Sequence, residues 1–325
     1  DEFFGCPYSE DMVPGPRDPD RPPLPLMRGE KVVEASVDRG LLTKRYTEEA
    51  VRFIRANRDR PFFLYLAHAA PGSTSRPFAS PAFEGRSANG PYGDAVEELD
   101  WSCGEVLQAL APGGIAERTL VLWTSDNGAV QWEPPQGSNL PLAGWGYDTS
   151  EGAQRVPFLA RWPSRIPGGR VTDRVATMMD IYPTAAAMAG ARLPEGRVVD
   201  GHDLADLLAG GDGSISPYDE TGFFYYHLQQ LQAVRSGDWK LYLPLARKIR
   251  NLRGIVEGSD GCYLRLYDVR HDVSEQQEVS AQHPDIVARL VALAEKAPAE
   301  LGDGDQQGTG QRPPGHMENP QPLVP

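Results

Sequence analysis

The chain has 325 residues, and its 45 acidic residues outnumber 32 lysines and arginines, which gives a formal net charge of −13. This balance argues against binding of nucleic acid or of an anionic membrane, because both require a basic face, although it leaves room for a local anion site. Apolar residues make up 40% of the chain, as in an average globular protein. The longest apolar runs have strand length and fall far short of the roughly 20 residues that cross a bilayer.

The three cysteines, Cys6, Cys103 and Cys262, are too few for a disulfide framework and lack the paired spacing of a zinc site. The chain begins with Asp1 and not with methionine, so we expect a fragment or a processed product. Its 34 glycines and 30 prolines predict long loops around a regular scaffold.

The first part of the chain predicts one helix and one strand. Residues 5–30 are rich in proline and show no period, which indicates an extended surface segment. Leu42, Tyr46, Ala50 and Phe53 recur at helical spacing, so a helix should end near Asn57. Residues 62–67 form a continuous apolar run that is typical of a buried strand, and residues 70–92 form a loop rich in proline, serine and glycine.

A second helix and strand follow in the same order. Val96, Leu99, Cys103, Val106 and Leu110 form one apolar stripe of a helix, and Glu97 and Glu98 then belong to its solvated face. Residues 120–123 predict a buried strand. Alternating helices and strands indicate a parallel sheet covered by helices, whose sites form at the carboxyl ends of the strands. Asp126 and Asn127 occupy such an end.

The remaining elements predict a change of architecture. Residues 131–155 form a long loop, 156–162 a strand, 180–190 a helix and 209–217 a linker. Strands are then predicted at 223–226, 232–235, 239–243 and 263–269, with a hairpin turn at 236–238. A helix should begin at Pro284 and end near Lys296, and the residues from Leu301 onward should form a tail without a core. This is the pattern of a small antiparallel α+β domain.

Two features suggest chemistry. Asp126 and Asn127 offer adjacent oxygen donors that suit Ca²⁺ or Mg²⁺, although Asp-Asn-Gly is also an ordinary turn sequence. His68 ends a predicted strand and could act as a base or an anion donor, with a structural histidine as the alternative. The other histidines show no spacing of metal ligands.

Several segments resemble the sulfatase family, in particular the branch of arylsulfatase A and N-acetylgalactosamine-6-sulfatase. The matching segments, in chain order, are DEFFG at 1–5, RPFFLY at 60–65, GPYGDAVEELD at 90–100, TSDNG at 124–128, EG at 151–152, RVPF at 155–158, RWP at 161–163, DIYPT at 180–184, DG at 200–201, GDWKL at 237–241 and LYD at 266–268. They span nearly the whole chain.

The resemblance implies an alkaline-phosphatase-like α/β fold over residues 1–208, incomplete at its N-terminus, a small antiparallel domain over 218–300 and an extended tail over 301–325. It implies hydrolysis of an aryl or carbohydrate sulfate ester by a formylglycine nucleophile that would lie upstream of this chain. It also implies a Ca²⁺ ion with Asp126 and Asn127 among its ligands, and a periplasmic, extracellular or lysosomal setting. The partner is then a sulfated small molecule or glycan.

The chain departs from the family pattern in four respects. It contains no Cys-x-Pro-Ser-Arg motif and no early Asp-Asp pair, so we expect the chain as given to be inactive. The positions of the sulfate-binding histidine and of the loop lysine fall on Gly72 and Gly146, which supply no donor or charge. His68, Arg76 or Arg155 are the candidates to replace them.

Three hypotheses remain open. The first is a sulfatase without its nucleophile segment. The second is a non-catalytic binding or scaffold relative, which Gly72 and Gly146 favour. The third is a phosphoryl-transfer enzyme on the same fold, against which the small number of histidines argues.

Overall fold

The computed structural model describes residues 1–15, 18–72, 77–132, 136–210, 215–245 and 263–321. These residues form two compact units, the first from Asp1–Thr119 with the described residues from Gly315 onward, and the second from the described residues of Leu120–Pro314. The predicted boundaries near 208, 218 and 300 do not coincide with this division, and the domain assignment stays a prediction. Cys6 is a free thiol, and Cys262 lies outside the described residues.

The first unit begins with an antiparallel sheet of three short strands, β1 (Phe4–Gly5), β2 (Leu26–Arg28) and β3 (Lys31–Glu34). The prediction of an extended surface segment over 5–30 is therefore wrong at its C-terminal end, where Leu24 and Leu26 are 2% and 0% exposed. Only Gly5 and the three residues of β2 in this segment belong to strands, which is too few to produce a period in the sequence.

Helix α1 (Leu42–Asn57) begins and ends where the sequence predicts. Its buried face includes Leu42, Tyr46 and Ala50, and the first two pack in one cluster with Leu24, Leu26 and Val37. The ring of Tyr46 meets that of Phe4 edge-on at 6.2 Å, and its hydroxyl accepts a hydrogen bond from the Cys6 N–H.

Helix α2 (Gly90–Leu110) is present as predicted, but a different face is buried. Ala95, Glu98 and Ser102 are almost fully buried, whereas Val96 is 41% exposed. Glu98 accepts the Ser80 N–H at 2.8 Å, so its assignment to a solvated face is wrong. The helices α1 and α2 meet through small and polar side chains, and hydrophobic periodicity alone therefore pointed to the wrong face.

Residues 62–67, which were predicted to be a strand, form no strand pair with any described residue. Phe62 packs edge-on against Phe53 of α1 at 5.8 Å, while Phe63 and Tyr65 are 75% and 82% exposed. The predicted burial on both faces is wrong because only alternate side chains face the unit.

The second unit begins with β4 (Val121–Thr124), followed by α3 (Glu151–Gln154), β5 (Phe158–Arg161) and α4 (Ile181–Met188). Strands β4 and β5 pair antiparallel, with Trp123 opposite Leu159. The described strand pairs are all antiparallel, so the predicted parallel pairing is not found among the described residues. β4 was also expected to be buried, yet Trp123 is 42% exposed.

The unit continues with α5 (Ala205–Ala209), α6 (Tyr218–Thr221) and a four-stranded antiparallel sheet. The strands lie in chain order, β6 (Phe223–His227), β7 (Gln230–Ser236), β8 (Trp239–Tyr242) and β9 (Arg265–Asp268). The turn between β7 and β8 confirms the predicted hairpin. Part of the predicted linker at 209–217 lies outside the described residues.

Helix α7 (Pro284–Ala294) covers this sheet, and the short helix α8 (Ala297–Leu301) follows it. Val234, Leu241, Leu266 and Leu290 form a core in which each is fully buried. The antiparallel sheet with one covering helix is thus confirmed. No helix of the described residues combines the length and the apolarity needed to cross a membrane.

The segment after Leu301 was predicted to be a tail without a core, and over its first residues this is wrong. The Tyr226 hydroxyl donates to the Gly302 carbonyl at 2.8 Å, and the Leu231 N–H donates to Asp303 Oδ1 at 2.9 Å. Gly308 lies so close to Glu300 that a Cβ there would be 2.2 Å from the Glu300 carbonyl oxygen. Backbone hydrogen bonds hold this segment to the sheet, and such bonds leave no hydrophobic pattern in the sequence.

Candidate functional site

The Asp126–Asn127 turn follows directly after β4 in the second unit. Asp126 Oδ1 accepts the N–H of Asn127 at 2.9 Å, and the Asn127 side-chain amide donates to the Gly128 carbonyl at 2.9 Å. Within the described residues, no hydrogen bond engages Asp126 Oδ2 or Asn127 Oδ1. The turn therefore leaves two oxygen atoms, one of them charged, available to a ligand.

A loop rich in glycine packs tightly against this turn. The Gly146 N–H donates to the Ala129 carbonyl at 2.8 Å, and the Gly128 N–H donates to the Ala153 carbonyl at 2.9 Å. A Cβ at Gly146 would lie 2.5 Å from the Gly128 carbonyl oxygen, and one at Gly128 would lie 1.8 Å from that of Gly152. In this conformation, the position assigned to the family lysine has no room for any side chain.

Asn139 fixes the same loop from within. Its Oδ1 accepts the Ala129 N–H at 2.6 Å, and its Nδ2 donates to the carbonyls of Ala129 and Gly144 at 2.9 and 3.1 Å. The loop that the sequence predicts over 131–155 is thus ordered in its described part, and it holds the Asp126–Asn127 turn in place.

The donor set of this turn can supply only part of a calcium site. Ca²⁺ takes six to eight oxygen ligands, and Asp126 and Asn127 offer two free oxygens. Across the parts of the chain that the structure describes, no group of three or more His, Cys, Asp or Glu side chains could hold a metal ion. The pair fits a cation only if further ligands join it.

A buried charge network lies under the far end of this loop. Glu151, at the first position of α3, is 1% exposed and accepts hydrogen bonds from Arg235 at 2.6 Å, Tyr225 at 3.0 Å and Lys240 at 3.1 Å. Burial acts to raise the pKa of Glu151, but the charges of Lys240 and Arg235 outweigh it and hold that pKa below its usual range.

Glu275 completes the network. Its Oε1 lies 3.2 Å from Lys240 Nζ and accepts the Tyr242 hydroxyl at 2.7 Å, while its Oε2 accepts the Glu151 N–H at 2.9 Å. Lys240 is fully buried, with its ammonium 4.2 Å from the centre of the Tyr225 ring. Two carboxylates and two cations balance and tie the start of α3 to strands β6, β7 and β8.

Sequence analysis did not find this network. Glu151 entered only as part of a matching segment, and Lys240 as part of a strand. A lysine within the apolar strand sequence WKLY is the one available signal, because a buried charge requires partners.

His68 lies in the first unit, and the Asp126 turn belongs to the second. Its Nε2 is 3.0 Å from Ser102 Oγ, which in turn lies 2.6 Å from Thr47 Oγ1. Its Nδ1 is buried without a hydrogen-bond partner among the described residues. Burial lowers the pKa of His68 to about 4, so the imidazole is neutral at pH 7 and carries no charge to an anion.

Of the other positions considered, Gly72 belongs to the first unit and Arg155 to the second. Gly72 has φ of +72°, a conformation that favours glycine. Arg76 lies outside the described residues, and Arg155 is exposed directly after α3. Asp126, Asn127 and Gly146 are the candidate residues that the structure does bring together.

Comparison with known proteins identifies the chain. The family model described as Sulfatase matches residues 1–191. Steryl-sulfatase of Mus musculus is 43% identical over 227 residues, which cover 67% of this chain and 36% of the relative. N-acetylgalactosamine-6-sulfatase of Canis lupus familiaris is 38% identical over 257 residues, which cover 74% of this chain and 47% of the relative.

A solved structure confirms the predicted alkaline-phosphatase-like fold. The PsFucS1 sulfatase from Pseudoalteromonas sp. superposes with a TM-score of 0.74 at 23% identity, covering 92% of this chain and 67% of that one. The chain spans about a third to a half of the length of the curated relatives it matches. Over the part that it spans, sequence and fold agree, and the chain belongs to the sulfatase family.

Proposed function

We propose that the protein is a sulfuric ester hydrolase whose reaction centre includes the Asp126–Asn127 turn. The observation that supports this most strongly is the family match over residues 1–191, which includes the turn. The tightly packed loop around Asn139 and Gly146 would keep the two free oxygens in a fixed place, which is what a preorganised electrostatic site requires.

Asp126 and Asn127 would each give one oxygen to Ca²⁺, and the bound cation would offset negative charge that develops on a sulfate group. The remaining ligands and the nucleophile would have to come from outside the 325 residues, which contain no Cys-x-Pro-Ser-Arg motif. We therefore also propose that this chain alone releases no sulfate. The substrate class is an aryl or carbohydrate sulfate ester, and the carbohydrate alternative is in line with the name of N-acetylgalactosamine-6-sulfatase.

A second candidate function is that of a non-catalytic sulfatase-like binding protein. It is favoured by Gly146, where packing against Gly128 leaves no space for the lysine of the family, and by Gly72 at the position of the histidine. Removing one such electrostatic group typically costs about 10²- to 10³-fold in rate, so the loss of both weighs against catalysis.

The coding sequence upstream of Asp1 gives the first test. An in-frame Asp-Asp pair followed by Cys- or Ser-x-Pro-x-Arg would support the hydrolase, and a coding sequence without it would favour the binding protein. The protein expressed from the complete reading frame is then assayed for sulfate release from 4-nitrophenyl sulfate and N-acetylgalactosamine 6-sulfate. Failure to cleave these and other sulfate esters would overturn the hydrolase.

The metal part is tested separately by titrating Ca²⁺ into the same protein by calorimetry. Asp126→Ala is expected to abolish binding, because it removes the only charged side chain of the turn. The matched control is Asp173→Ala, an exposed aspartate of the same unit. Unchanged Ca²⁺ affinity in Asp126→Ala would remove this residue from the site.

A further inference from the structure

The second unit contains a surface pocket of about 400 Å³, well separated in sequence from the Asp126 turn. Its size lies within the range of pockets that bind small ligands, roughly 300–1,000 Å³. We call it the arginine pocket. The residues that define it here are Met179, Tyr182, Arg197, Val198, Asp200 and Arg312.

Two guanidinium groups give the arginine pocket its charge. Arg312 donates to the Val198 carbonyl at 2.8 Å, and Arg197 makes no hydrogen bond to any described residue. Neither arginine forms an ion pair within the described part of the chain. With Asp200 as the carboxylate among the lining residues, the pocket carries an excess of one positive charge in a protein of net charge −13. Such a local excess selects for an anionic ligand.

The rest of the lining is apolar. Tyr182 is 53% exposed and Met179 44% exposed, and Val198 lies on the opposite loop. An exposed aromatic ring beside guanidinium donors suits a ligand that has an anionic group and a saccharide ring, because the C–H groups of that ring can pack against the aromatic face. A guanidinium binds sulfate or carboxylate oxygens with paired hydrogen bonds, so it can select the anionic group.

The walls of the arginine pocket are held together below its surface. Asp180, which is 1% exposed, accepts the N–H of Thr177 at 2.6 Å, the N–H of His202 at 2.8 Å and the Tyr218 hydroxyl at 2.7 Å. A Cβ at Gly201 would lie 1.9 Å from the Met179 carbonyl oxygen, so the two walls touch at that point. The pocket is therefore formed before a ligand arrives.

We propose that the arginine pocket is a second, non-catalytic binding site for an anionic saccharide unit, with Arg197 and Arg312 on its sulfate or carboxylate and Tyr182 against its ring. The choice of a sulfated saccharide as the probe rests on the proposed function. The pocket would hold a part of a glycan chain other than the ester that is cleaved.

The test measures the binding of N-acetylgalactosamine 6-sulfate to the 325-residue chain by calorimetry and by NMR titration. Arg197→Gln and Arg312→Gln are each expected to weaken binding by about 10-fold or more, because each removes a charge-assisted contact. Tyr182→Ala should weaken it as well. The matched control is Arg192→Gln, an exposed arginine of the same loop outside the pocket, which should bind like the wild type.

The inference is overturned if the wild-type chain does not bind, or if Arg197→Gln binds as the wild type does. Equal binding of inorganic sulfate and of the sulfated sugar would also overturn it, because the ring would then contribute nothing. The Asp126→Ala variant separates this site from the proposed function. Binding that persists in Asp126→Ala supports the arginine pocket whether or not the complete protein cleaves sulfate esters.

Discussion

Replacing Glu151 by glutamine is expected to lower the free energy of unfolding by about 3–5 kcal/mol, because it removes one partner from a buried charge network. The amide keeps the shape of the side chain and can still accept the Tyr225 hydroxyl. What disappears is the negative charge 2.6 Å from Arg235 and 3.1 Å from Lys240, in a place that is 1% exposed. Since domains are stable by about 5–15 kcal/mol, the loss is a large part of the total.

A second substitution tests whether charge balance is the cause. The network of the wild type has two carboxylates and two cations, and Glu151→Gln leaves one cation in excess. Adding Lys240→Met restores equal numbers, so the double variant should be more stable than Glu151→Gln by at least about 1 kcal/mol. An exposed residue of the same unit, Glu220→Gln, is the matched control.

The assay is urea unfolding of the 325-residue chain, followed by circular dichroism at pH 7. A cost below about 1 kcal/mol for Glu151→Gln would refute the view that this carboxylate neutralises buried cations. So would a double variant whose loss equals the sum of the two single losses, because independent sites add and members of one network do not.

Three further predictions concern other buried positions. Burial holds the pKa of His68 at about 4, so the unfolded chain, with a pKa near 6.5, is protonated first as the pH falls. His68 makes its full contribution to the free energy of unfolding above pH 6.5. As the pH falls to about 4, that free energy decreases by at most about 3 kcal/mol, and the urea midpoint of His68→Gln should not show this decrease. Gly146→Ala should cost about 1–3 kcal/mol, because its Cβ would lie 2.5 Å from a carbonyl oxygen, whereas Gly168→Ala meets nothing within 4 Å and should be neutral in thermal melts. Asp180→Ala should cost at least about 2 kcal/mol, because one buried and two partly buried donors lose their acceptor, and equal stability of this variant and Asp173→Ala would contradict it.

The sequence predicted elements best where one apolar face dominates. Helix α1 carries a clear helical period, the strands β6 to β9 are short segments separated by turn residues, and both the helix and the sheet lie where they were predicted. Helix α2 was found, but its orientation was not, because Glu98 and Ser102 are buried through hydrogen bonds that a hydrophobic pattern cannot show. The exposure of Phe63 and Tyr65 was missed for a related reason, since a run of apolar residues does not reveal what covers them.

The candidate site was predictable only in its local part. The Asp126–Asn127 turn is visible because its residues are adjacent, and its free oxygens follow from the turn itself. The contact between Glu151 and Lys240 joins residues 89 positions apart, and no local pattern links them. Position 146 could not be explained from the local sequence either, because it requires glycine on account of the Gly128 carbonyl, which lies across the loop.

The segment that follows α8 connects the sheet of β6 to β9 with the arginine pocket. It is bound to the sheet at Gly302 and Asp303, and nine residues later Arg312 reaches the Val198 carbonyl at the pocket. If an anion binds at Arg312 as proposed, its affinity and the folding of the sheet are thermodynamically linked. A ligand held there at 100 times its Kd would stabilise the folded state by about 2.7 kcal/mol. Proteolytic cleavage between Asp303 and Arg312 would uncouple the two, leaving a sheet that no longer responds to the ligand.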